Sequence, residues 1–166
     1  SRSGCAAAPR PRPSGRNATS AEPSARAYWD TSALAKSYVR EAASAEVRAE
    51  LRQRAVVSSC ILPLELKSML WRRLDQGEVS ELEYRRAQAA LAVDRQDWFL
   101  LDAGRDLLLR AEDLAARLHV RSLDAIHLAT ATMLAADWPS RLPFLTSDLR
   151  QARAAEALGL AVLRFG

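Results

Sequence analysis

Residues 27–39 read AYWDTSALAKSYV. Three residues suited to a short buried strand meet a bare aspartate, Asp30. Two small hydroxyl residues follow, Thr31 and Ser32, and then apolar residues at helical period. A strand that passes into a helix through a carboxylate has two readings. Asp30 can cap the helix, accepting from the open N–H groups of the first turn. It can also belong to a site, because ligands of parallel α/β sheets bind beyond the carboxyl ends of the strands.

The alternation continues downstream. Residues 44–54 form an amphipathic helix and 55–59 a second strand. Residues 62–77 read as a helix, with Pro63 in its first turn and Gly77 at its end. Residues 79–96 read as another, in which Ser80 and Glu83 have the spacing of a capping box. Residues 97–102 make a third strand, 104–119 and 122–137 two helices, and 141–147 a fourth strand. Residues 148–159 close as a helix and 160–165 as a fifth strand. Short apolar strands separated by helices predict an α/β fold, a parallel sheet of about five strands between helices.

Charge divides the chain. Of 24 basic and 20 acidic residues, five arginines and one acid fall within residues 1–26, which leaves 19 of each sign beyond them. The basicity therefore belongs to the first 26 residues, and net charge gives the remainder no case for binding nucleic acid. Residues 1–26 are rich in Pro, Ser, Ala and Arg without apolar period, and read as a disordered tail before one domain at 27–166. No apolar run is long enough for a membrane span. Cys5 and Cys60 lack metal-ligand spacing, and this usage fits the reducing cytoplasm.

Acids stand where the strands end. Asp30 follows the first strand and Asp148 the fourth, after FLTS. Glu65 lies early in the helix after the second strand, and Asp124 in the first turn of the helix at 122–137, with Ser122 as its expected cap. Each has a plain alternative. Asp30 and Asp148 can be caps, Asp124 can favour the helix dipole, and Glu65 can pair with Lys67 or an arginine. Asp102 reads as an ordinary turn residue. His127, three residues after Asp124, reads as a packing or hydrogen-bonding residue rather than a general base. Trp71, Trp98 and Trp138 read as core or interface. Acids gathered at one sheet edge repel one another, and Mg²⁺ or Mn²⁺ would relieve that repulsion through oxygen ligands.

YWDTSALAKSYVRE, an acid in the apolar helix after the second strand, LDAIHLATA and LTSDLRQARAAEALGL occur in that order. Together they resemble the PIN-domain family, especially its VapC-like toxins. The resemblance implies a metal-dependent endoribonuclease with Mg²⁺ or Mn²⁺ held by the acidic quartet Asp30, Glu65, Asp124 and Asp148, the catalytic residues. It makes Thr31, Ser32 and Thr146 supporting polar groups. It also implies an RNA substrate, a cognate antitoxin, and a homodimer through the helices of residues 44–96. The departure is the N-terminal extension, since members of that family start close to the first strand. A receiver domain would need paired acids after the first strand, and a haloacid-dehalogenase phosphatase a second Asp where Ser32 stands. A von Willebrand-type site would need Ser where Leu34 stands. An inactive protein-binding domain is disfavoured because no acid is missing. A housekeeping RNA-processing nuclease is the remaining alternative.

Overall fold

The computed structural model describes residues 25–138 and 142–166. The proposed tail, apart from Ala25 and Arg26, and the first residue of the expected fourth strand lie outside the described residues. Five strands form one parallel sheet in the order β3-β2-β1-β4-β5. They are β1 (Ala25–Trp29), β2 (Arg54–Ser59), β3 (Phe99–Leu101), β4 (Phe144–Thr146) and β5 (Val162–Arg164). Helices α1 (Thr31–Tyr38) and α2 (Ser44–Leu51) join β1 to β2, and α3 (Leu62–Asp75) and α4 (Glu81–Asp94) join β2 to β3. Helices α5 (Arg105–Leu118) and α6 (Ser122–Asp137) lead to β4, and α7 (Leu149–Ala157) to β5.

Strand side chains alternate between the two faces of the sheet, and two cores result. Ala27 and Trp29 point into one, with Leu34, Val47, Leu66, Leu70 and Leu91 from α1 to α4. Tyr28 points into the other, with Leu107, Leu114, Leu128 and Ala155 from α5, α6 and α7. The molecule thus has three layers, as the alternation predicted. Helix α6 buries Ala125, His127, Leu128, Ala129, Thr130, Ala131 and Leu134, too many to lie on one stripe, as expected of a helix enclosed by the fold. The capping box at Ser80 and Glu83 forms: the Glu83 N–H donates to Ser80 Oγ, and the Ser80 N–H to Glu83 Oε2.

Three local expectations are corrected. Strand β1 starts at Ala25, and its register pairs Ala25 with Arg54 and Arg26 with Ala55. Arg26 is therefore a strand residue, its guanidinium 5.3 Å from the ring centre of Trp138. Strands β3, β4 and β5 each keep only three residues, shorter than the apolar runs that predict them. Ser122 is the first helical residue of α6 and caps nothing; the extended Arg121 precedes it with no side-chain cap. Of the tryptophans expected in core or interface, Trp98 and Trp138 pack against the two cores and Trp71 is exposed on α3.

Residues 25 and 26 should add measurable stability. An exposed cation–π contact contributes about 0.5–1 kcal/mol, and two register pairs add to it. A chain starting at Ser24 is expected to melt about 2–4 °C above one starting at Ala27, the shift that about 1 kcal/mol makes at this size. Equal melting temperatures by calorimetry would show that these residues add nothing to the sheet.

Candidate active site

The strand order decides which acids can meet. Strand β1 lies between β2 and β4, so the segments after these three strands leave the sheet side by side. Asp30, Glu65 and Asp148 sit on those segments, and the crossover through α5 and α6 brings Asp124 to them. All four line one cavity of about 620 Å³, together with Thr31, Ser32 and Gln151. The exposed Asp102 is not among its lining residues.

Asp30 is 3% exposed. Its Oδ2 accepts three hydrogen bonds: from the Ser32 N–H at 3.1 Å, the Ser32 hydroxyl, and the Thr146 hydroxyl at 3.0 Å. The first of these caps α1. Asp148 caps α7 through Oδ1, which accepts from the N–H groups of Arg150 at 2.7 Å and Gln151 at 3.2 Å. Glu65 Oε2 accepts from the Thr31 hydroxyl at 2.6 Å and lies 2.7 Å from His127 Nε2. In each carboxylate the second oxygen, Asp30 Oδ1, Asp148 Oδ2 and Glu65 Oε1, has no hydrogen-bond partner among the described residues. Asp30 and Asp148 thus cap their helices and line the cavity at once, since each cap uses one oxygen and leaves the other.

The partner of Glu65 is a second correction of chemistry. Lys67 is exposed and does not reach it. His127, 1% exposed, takes that place, with its other nitrogen, Nδ1, 2.8 Å from the Tyr28 hydroxyl. Burial raises the pKa of Glu65, but the hydrogen bond and charge of His127, the Thr31 hydroxyl and the charge of Arg72 outweigh it, leaving Glu65 below the usual range. Burial lowers that of His127, and Glu65 and the charges of Asp30 and Asp124 more than restore it, so it lies raised. Asp124 moves up, first through burial and then through the charges of Asp30 and Asp148.

The hydroxyls knit the ends of two strands together. Thr146, fully buried, receives the Asp148 N–H at 3.1 Å and reaches Gln151 Oε1 at 3.2 Å. Ser32 Oγ receives the Ser147 N–H at 2.8 Å. Sequence reasoning had missed Tyr28 and Gln151. Tyr28 reads as strand filler, and Gln151 as one more polar residue in a helix.

The donor set fits a hard divalent cation. The free atoms are carboxylate oxygens, and both nitrogens of His127 are engaged, which removes the imidazole as a ligand. No three His, Cys, Asp or Glu side chains among the described residues form a closed cluster for an ion. An open set of carboxylates suits Mg²⁺, which keeps several waters and takes one or two protein carboxylates.

The PIN domain family model matches residues 27–157. The chain belongs to the PIN-domain family. It is also 41% identical over 137 residues to Ribonuclease VapC46 of Mycobacterium tuberculosis (strain ATCC 25618 / H37Rv), a match covering 82% of this chain and 95% of that protein.

The cap of α7 can be separated from the charge. Asparagine caps about as well as aspartate, whereas alanine cannot. Asp148→Asn is expected to unfold in urea at close to the wild-type midpoint, and Asp148→Ala to lose about 0.5–2 kcal/mol. An alanine variant as stable as wild type would remove the cap from the account of this site.

Proposed function

We propose that the chain is a metal-dependent endoribonuclease, the toxin of a toxin–antitoxin pair, that hydrolyses RNA phosphodiester bonds. One observation carries this reading. Four carboxylates line one cavity, and each keeps at least one oxygen without a hydrogen-bond partner among the described residues. The likeness to a ribonuclease supports the substrate class.

Asp30, Asp124, Asp148 and Glu65 would hold Mg²⁺ or Mn²⁺ directly or through waters. Such a cation, when bound, supplies Lewis acidity to the attacking water and to the phosphate. The residues of the chain do the rest. Thr146 and Ser32 fix the Asp30 carboxylate, and the free oxygen of Glu65 would orient the water that attacks phosphorus. One P–O ester bond breaks as the new one forms. Arg72 and Arg121 line the same cavity and make no ion pair among the described residues, so they suit the flanking phosphates.

A cytoplasmic RNA-cutting enzyme needs restraint, hence the expected antitoxin. The exposed Trp71, Leu82 and Val93 of α3 and α4 support the expected homodimer through the helices of residues 44–96. No helix among the described residues is long and apolar enough to cross a membrane.

Asp124→Asn tests the reading, because Asp124 carries the repulsion. The folded state disfavours its charged form, so a neutral isostere should melt at or above wild type in chelator at pH 7. Stabilisation by Mg²⁺ follows RT ln(1 + [L]/Kd), so the variant should gain a smaller shift. Cleavage of RNA should fall by about 100-fold or more, and Asp30→Asn should abolish it. Full cleavage by either variant would remove the metal role, and a wild-type protein inert toward RNA with Mg²⁺ would favour the inactive alternative.

A further inference from the structure

We propose that Tyr28 and His127 are positioning residues for Glu65: they pin its Oε2 and leave Oε1 to serve the cavity. The inference rests on the nuclease reading and deepens it. The three side chains come from β1, α6 and α3, and so link two layers of the fold through the sheet. The Tyr28 hydroxyl stands 2.8 Å from His127 Nδ1, and His127 Nε2 stands 2.7 Å from Glu65 Oε2.

An ionised carboxylate only accepts, so the proton between His127 and Glu65 belongs to Nε2. The Tyr28 hydroxyl pairs with Nδ1 in either charge state, donating to the neutral imidazole and accepting from the imidazolium. Burial, first among its causes, drives the phenol pKa of Tyr28 well up, so the hydroxyl keeps its proton. Thr31 adds a second donor to the same Oε2 at 2.6 Å. One oxygen of Glu65 is thus saturated from within the fold.

Packing alone does not account for a histidine here. His127 is 1% exposed, on the face of α6 that it shares with Asp124, the buried Thr130 and Ala131. A buried imidazole is tolerated only with its nitrogens paired, and leucine would fill such a place with no polar atoms to satisfy. What the histidine adds is a rigid N–H reaching from the closed core to a carboxylate on the cavity wall. Without it, Glu65 regains rotamers, and its free oxygen no longer has a fixed place.

The test uses His127→Leu, His127→Gln and Tyr28→Phe, each checked for folding by melting. The readouts are kcat and KM on RNA with Mg²⁺, and Mn²⁺ binding by calorimetry without RNA. Groups behind a metal ligand typically change affinity or activity about 10–100-fold. His127→Leu is expected to lose about that much in kcat with KM little changed, and to bind Mn²⁺ about 10-fold more weakly. His127→Gln, whose amide restores an N–H toward Glu65, should recover most of both, and Tyr28→Phe should show a smaller loss of the same kind. If His127→Leu does not fold, Tyr28→Phe and His127→Gln carry the comparison. A folded leucine variant with wild-type kcat and Mn²⁺ affinity overturns the inference, as does a glutamine variant no better than leucine. Wild-type protein that binds Mn²⁺ without cleaving RNA sinks the nuclease reading alone, and the Mn²⁺ measurements still decide the role of His127.

Discussion

Strand β1 is paired along both edges, to β2 and to β4, and Ala27, Tyr28 and Trp29 are closed off from water on both faces. The hold continues past its end. The Asp30 N–H donates to the Leu145 carbonyl at 2.9 Å, and the Ser58 hydroxyl to the Trp29 carbonyl at 2.7 Å. The chain therefore leaves the sheet at a fixed point, and the residue at that point is a carboxylate. Burying an ionised carboxylate without partners is costly. Here three donors meet on one of its oxygens, two from Ser32 and one from Thr146. The polar residues around Asp30 follow from where β1 ends.

A carboxylate has two oxygens and about four places to accept a hydrogen bond. Capping a helix occupies one oxygen. This is why the preference of aspartate for the N-cap says little about whether it also serves a site. Asp30 and Asp148 hold α1 and α7 with one oxygen and line the cavity with the residue as a whole. Glu65 is not a cap, yet it shows the same division, with Thr31 and His127 in place of backbone N–H groups.

Much of this was legible in the sequence because it is local. The handover at Asp30, the capping box at Ser80 and Glu83, and Pro63 and Gly77 at the two ends of a helix are all decided within a few residues. The four acids could be picked out because each stands close after a strand or opens a helix. The contacts among them could not. Tyr28 and His127 are 99 residues apart, and Glu65 and His127 are 62 apart. Lysine in position 67 looked a natural partner for Glu65, but a neighbour two residues along a helix points elsewhere. The start of β1 was missed because Arg26 is exposed, and polarity there reads as tail.

The acids of the cavity do not share their electrostatic load evenly. Glu65 has His127, Thr31 and Arg72 beside it and is held toward its charged form. Asp124 has burial and the charges of Asp30 and Asp148 against it and is held toward its neutral form. A raised folded-state pKa means that ionising Asp124 opposes folding once the pH passes its unfolded value, and the opposition grows until the folded group has also ionised. That cost persists at neutral pH unless positive charge arrives. Lys36 and Arg73 on the cavity wall are already paired with Glu41, and the charges of His127 and Arg121 lower the pKa of Asp124 without cancelling its rise. A divalent cation bound among the acids would add positive charge beside Asp124 in a small volume.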